Sequence, residues 1–417
     1  MEERRTAKAP RTPREEGEIA YLRSPAAVRD RCGVLFELGC ADRLSHFCPR
    51  LERLGLVADY VIRVMRDQYP DLQIPFHSRW RHFEAGGVPR LADLDRLLLG
   101  LSPIEKAQAK FDLVVVSVLL DAGAGEDWEY YEEETTKVFR RSEGLAVASF
   151  RMFCQGAFSK NAIGCVDAQG LAGLTEEVLA TGFQVSSVNP LVGLAGRLEL
   201  LQRLGLTLSA THLFGENPRP GQLVNYLLER SNNGQLAAEM VLSAVLEGLG
   251  DIWPGRVEIA GVNLGDVWPH SALVGGGGSA GLVPFHKLSQ WLSYSLLEPL
   301  QELGLEITGL DALTGLPEYR NGGLCLDLGL LQAKYPDVLQ QSYSAGREVI
   351  VEWRALTVIL LDRIAVAVRE KLGMSAEELP LVKILQGGTW GAGRQIAAQL
   401  RAGGVPPIRL ESDGTVF

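Results

Sequence analysis

A mainly helical fold is predicted for this chain of 417 residues, on three observations. Apolar residues recur at helical intervals through most of its long segments. Several segments open on serine–proline or close on proline or glycine, as helices do. No internal repeat and no alternation of strands with helices is visible, which argues against a doubly wound parallel sheet.

In chain order, residues 1–23 come first. Their opening run, "MEERRTAKAPRTPREE", mixes both charge signs with proline and lacks an apolar stretch. It fits neither a secretory signal nor an acid-free transit peptide, so a frayed tail is expected. From Ser24, "SPAAVRDRCGVLFELG" predicts a capped helix, and "RLERLGLVADYVIRVMRDQYP" a second that stops before Pro70. "FDLVVVSVLLDAGAG" is too apolar for its period to separate buried helix from strand, and ends in a glycine-rich turn at 123–125. Residues 143–158 and 191–206 are predicted helices. The stretch 251–284 breaks the pattern: "RVEIAGVNLGDVW" alternates like a short strand or hairpin, and "GGGGSAGL" predicts a mobile loop over 275–281. Helix resumes at "FHKLSQWLSYSLLEPL" and again over 347–372. Residues 24–417 are expected to form one helical unit, divisible into packed halves at 24–250 and 251–417 with the site between them.

Composition narrows function. Hydrophobic residues make up 46% and charged residues 22%, with a net charge of -10 and a pI near 5.3. A nucleic-acid or anionic-membrane partner would call for a basic face, so neither is expected. No run approaches the roughly 18 apolar residues of a membrane span. The six cysteines form no C-x-x-C pair and no disulfide framework. The chain reads as cytoplasmic, without metal or cofactor.

Familiar motifs are missing. "GGGGSAGLVPFHK" lacks the Gly-Lys-Ser/Thr of a P-loop, "GGTWGAGR" lacks dinucleotide spacing, and neither H-E-x-x-H nor G-x-S-x-G occurs. His77 and His82, five apart, read as a polar aromatic patch rather than a metal pair. What remains are polar residues on rigid segments. His286 and Gln290 share one helix face, while Lys287, Trp291 and Tyr294 form a line beside it; this is either a solvated face or one that binds a polar ring or phosphate. Glu318-Tyr319-Arg320, followed by a helix-hostile Asn-Gly-Gly, is either a braced turn or a carboxylate held for a developing positive charge. Cleaving a ribosyl C–N bond, which passes through an oxocarbenium-like state, demands such a carboxylate.

"PFHSRWRHFEAGG", "VSVLLDAGAG", "NPLVGL", "VPFHKLSQWLSYSLLEPL", "LTGLPEYRNGGL", "VEWRALTV", "LQGGTWGAGR" and the terminal "SDGTVF" resemble the uracil-catabolism protein 4 family. The likeness runs from about Ser24 to Phe417. It implies a place in a route that converts uracil to its nucleotide, opens the ring and breaks down a ribosyl-urea type intermediate. Segment order is also similar to the queuosine salvage proteins, helical N-glycosidases related to DNA glycosylases. That likeness implies an acidic role for Glu318, with Tyr319 and Arg320 beside it, and binding roles for Lys287 and Gln290. Glutamate stands where those proteins have aspartate, Asn-Gly-Gly replaces their Pro-Gln ending and the 251–284 insertion would reshape the pocket, so a different leaving group is expected.

The resulting expectation is an N-glycosidase-like hydrolase of a small phosphorylated ribosyl substrate. Glu318 would stabilise or capture the sugar and His286 would protonate the leaving nitrogen. Lys287, Arg320 and Arg354 are phosphate candidates; Trp268, Trp291 and Tyr319 would wall the sugar, and Asp266 would hold hydroxyls or activate water. The alternatives are an amidohydrolase-like or isomerising step on the opened ring, and a non-catalytic nucleotide binder.

Overall fold

The computed structural model describes residues 11–254, 256–273 and 278–411. The described chain is mainly helical, and its strands, at most four residues long, pair into six two-stranded sheets.

Local chemistry accounts for the helices that carry the site. Pro25–Cys40 opens with the Ser24 hydroxyl accepting from the Ala27 amide. Leu54–Gln68 stops ahead of Pro70. The ambiguous apolar run lies in the helix Pro103–Leu119, because Ser102 and Glu105 upstream form a capping box and Pro103 takes the first helical position. Arg141–Cys154, Leu194–Ala210, Lys287–Glu302 and Glu348–Leu372 are helices close to their predicted bounds.

Residues 13–22 differ from the expected frayed tail. Pro13–Leu22 is a helix with a Thr12–Glu15 capping box, and its Ile19 and Leu22 bury against Val262, Leu264 and Val267. The cap satisfies the orphan amides, and the 251–284 stretch supplies an apolar seat. Residues 1–10 lie outside the described residues. In that same stretch Glu258–Ile259 pairs with Val262–Asn263, and Val267–Pro269 with Leu282–Pro284, both antiparallel. These pairs match the expected hairpin character. Residues 275–277 of the predicted mobile loop lie outside the described residues, as does the "SDGTVF" terminus, while Gly278–Gly281 form a short 3-10 helix.

One hydrophobic cluster runs from Val28 to Ile408. Within it helix 103–119 packs on helix 287–302, and Tyr319–Asp327 packs on Trp390–Leu400. Gly393 sets the second contact: a Cβ there would stand 2.2 Å from the Arg320 carbonyl oxygen. Asn-Gly-Gly, expected to oppose helix, lies inside helix 319–327, where Gly322 lets the Trp353 indole close to 2.7 Å of where a Cβ would be.

Candidate active site

These contacts enclose a cavity of about 300 Å³. Its lining comes from the turn after helix 103–119, the starts of helices 141–154 and 287–302, residues 316–320, and the chain at 404–410.

Glu318 sits at the head of this arrangement as the N-cap of helix 319–327. Its Oε2 accepts from the Arg320 amide and its Oε1 from the Asn321 amide, both at 2.7 Å. It is 8% exposed, and that exposure is toward the cavity it lines. Burial raises its carboxyl above the usual value; the two amides and the Lys287 charge oppose the rise. The braced-turn alternative fails here. Glu318 holds backbone, while Arg320 donates from Nη1 to the Gly404 carbonyl at 2.7 Å and lies over the Tyr319 ring at 4.9 Å.

Lys287 enters the cavity one turn before Trp291, its Nζ 5.8 Å from that ring's centre. Burial lowers its pKa, partly opposed by the Glu318 and Asp121 carboxylates. Among the described residues no carboxylate stands within ion-pair distance of its ammonium.

Asp121 supplies a second carboxylate. It accepts from the Ser142 hydroxyl at 2.6 Å and pairs with the fully buried Arg79 at 3.1 Å. The "DAGAG" turn that presents it is built around Arg197. That buried guanidinium donates to the carbonyls of Leu120, Ala122 and Gly123 at 2.9, 2.7 and 3.1 Å, and to Val192. Burial lowers its pKa to about 10, only partly opposed by the Asp121 carboxylate.

His77 and His82 meet Trp291 and Trp390 with ring centres 5.7–6.4 Å apart, forming an aromatic wall. Burial lowers His77 to about 4 and holds His82 well below its usual value, so both rings are neutral near pH 7. Among the described residues no group of three or more His, Cys, Asp or Glu side chains is placed to hold a metal ion.

Of the residues singled out from sequence, Glu318, Lys287, Trp291, Tyr319 and Arg320 line the cavity together. Five others do not. His286, at φ +48, directs its Nε2 to the Leu22 carbonyl at 2.7 Å. Gln290 donates to the Phe285 carbonyl and the Thr314 hydroxyl and accepts from the Thr314 amide, tying helix 287–302 to the segment before Glu318. Asp266 and Arg354 form a two-pronged pair at 2.8 and 2.7 Å, and Trp268 Nε1 donates to Asp266 at 2.7 Å. Asp266 also accepts from the Lys287 amide, and Arg354 reaches the Pro317 carbonyl. The pair therefore braces the backbone beside Lys287 and beside Glu318.

Asp121, Arg141, Ser142 and Trp390 also line the cavity and were not singled out. The one signal for Asp121 was an acid placed where a long apolar run meets glycines. Trp390 stood inside the "GGTWGAGR" motif.

Residues 21–417 match the model of a family described as "Protein of unknown function (DUF1688)". Uracil catabolism protein 4 of Lachancea kluyveri is 40% identical over 439 residues, covering 96% of this chain and 99% of that protein. Protein urg3 of Schizosaccharomyces pombe is 39% identical over 409 residues, with the same coverage of each. With family model and relatives agreeing over nearly the whole length, the chain belongs to the DUF1688 family.

Proposed function

We propose that this chain is an enzyme of uracil catabolism, a hydrolase that cleaves the C–N bond of a 5-phosphoribosyl derivative such as phosphoribosyl-urea. The name of the Lachancea relative supports the pathway. The observation that carries the chemistry is Glu318: a carboxylate fixed at both oxygens by backbone amides and turned to a ligand-sized cavity.

As the C–N bond breaks, positive charge gathers on the anomeric carbon. A carboxylate already oriented stabilises it without reorganising, or captures it covalently. Lys287 replaces His286 as the proton donor to the departing nitrogen, since it is in the cavity and burial lowers its pKa from the ordinary lysine value. Asp121 is placed to orient or deprotonate the water that adds to the anomeric carbon. The products are 5-phosphoribose and urea, with one water consumed.

Urea release from phosphoribosyl-urea tests the reading. Wild type is expected to turn over, and Glu318→Gln to lose about 10²- to 10³-fold in kcat, the usual effect of removing one transition-state stabiliser. Equal turnover by the two would remove Glu318 from the chemistry. Binding without turnover in wild type would favour a non-catalytic nucleotide binder.

A further inference from the structure

The cavity continues into an outer hollow of about 410 Å³, with which it shares Arg141, Arg320 and Gly404. Four arginines line that hollow: Arg141, Arg320, Arg394 and Arg401. They are not equivalent. Arg401 is committed to Asp327 through two bonds, one at 2.8 Å, and to the Val405 carbonyl. Arg394 pairs with Glu143 at 2.9 Å. Arg141 and Arg320 instead each hold one backbone carbonyl, Gly403 at 2.9 Å and Gly404 at 2.7 Å. Among the described residues neither has a carboxylate within ion-pair distance.

A guanidinium carries five N–H donors, so most of the donor capacity of both side chains is uncommitted. Arg320 is 6% exposed, and a buried cation without a counter-charge is unfavourable unless an anion completes it. Arg141 begins its helix at φ +54, a left-handed conformation that is unfavourable for a non-glycine residue. Strain of this kind gathers where a side chain must be aimed. Lys287 is the other cation in the cavity, but it faces Glu318 and Asp121, and a phosphate beside two carboxylates would be repelled.

We infer that Arg141 and Arg320 form a phosphomonoester subsite at the outer end of the cavity, with the sugar extending inward to Glu318. The identity of the sugar rests on the function proposed above; the phosphate subsite rests on the two guanidiniums. Planar forks of this type bind phosphate oxygens in pairs. Arg394 and Arg401, already neutralised, shape the rim.

Calorimetric titration of the full chain with ribose 5-phosphate, ribose and inorganic phosphate tests this. Wild type should bind ribose 5-phosphate at least tenfold more tightly than ribose. Arg141→Ala, at the exposed rim, should weaken ribose 5-phosphate by about 10- to 100-fold, as loss of hydrogen bonds to a charged group does. Arg141→Lys should recover part of that loss, while Arg394→Ala stays within about threefold. Equal affinity for ribose and ribose 5-phosphate, or an Arg141→Ala variant as tight as wild type, overturns the subsite, as does wild type binding no ribose 5-phosphate. Arg141-dependent binding without cleavage of phosphoribosyl-urea would leave the subsite standing and reject the hydrolase. Cleavage that ignores Arg141 would do the reverse.

Discussion

Glu318 with Lys287, and Asp266 with Arg354, are both buried groupings of opposite charge around one stretch of backbone, yet their charges end in different places. Asp266 and Arg354 are closed on each other, with Trp268 and the Lys287 amide completing the carboxylate. Glu318 takes only backbone amides, and the Lys287 ammonium takes no carboxylate among the described residues. The difference teaches that buried charge marks a candidate site where its bonding capacity faces a cavity, and marks a brace where it does not.

Their titrations run in opposite senses. Burial alone would raise Asp266, but Arg354, Trp268 and the Lys287 amide hold it far below the usual carboxylate range. Its contribution to stability is complete above the unfolded value of about 3.9 and is lost as pH falls from there toward the folded value. Glu318 is raised by burial, so its ionisation opposes folding. Stability therefore increases as pH falls through its raised value, until the unfolded carboxyl also protonates near about 4.3.

Breaking the brace should have the largest effect on stability. Arg354→Ala strands Asp266 in the interior and is expected to cost about 3–5 kcal/mol; urea denaturation checks this, and a loss under about 1 kcal/mol would mean the pair is no brace. Gly393→Ala comes next. Its Cβ cannot fit against the Arg320 carbonyl, so helix 390–400 must shift, at about 1–3 kcal/mol by the same measurement, and ribose 5-phosphate affinity should fall with it. An unchanged midpoint and affinity would show that this contact does not position Arg320. His286→Asn should matter least. Asparagine tolerates the left-handed backbone, so the expected change is about 1 kcal/mol from the lost Leu22 bond, with turnover within about threefold. A hundredfold drop in kcat would restore His286 to the chemistry.

Much of the fold was legible because helix signals are local. Ser24-Pro25 marks a start, and Ser102-Pro103 with Glu105 decides a run whose own period was mute. The same chemistry lies under Thr12-Pro13 with Glu15, where charge mixing suggested fraying. In the site, Glu318 was legible because an acid ahead of a helix is a cap that can also face a ligand. His286 was misassigned because helical spacing was extended one residue too far: it is the left-handed cap, and the helix begins at Lys287. Asp121 and Arg141 belong to segments remote in sequence from Glu318, brought to it only by packing. Arg197 shows why such residues stay hidden, since its whole role is to hold carbonyls that carry no sequence signature.

The most direct test is the pH dependence of urea release from phosphoribosyl-urea by wild type and Glu318→Gln, both confirmed folded by their denaturation midpoints. Wild type should lose activity on the acid side as pH falls through a value above the ordinary range of a glutamate. The variant should retain about 1% or less of the plateau rate, with that acid limb gone. Matching plateau rates and matching acid limbs would contradict the account.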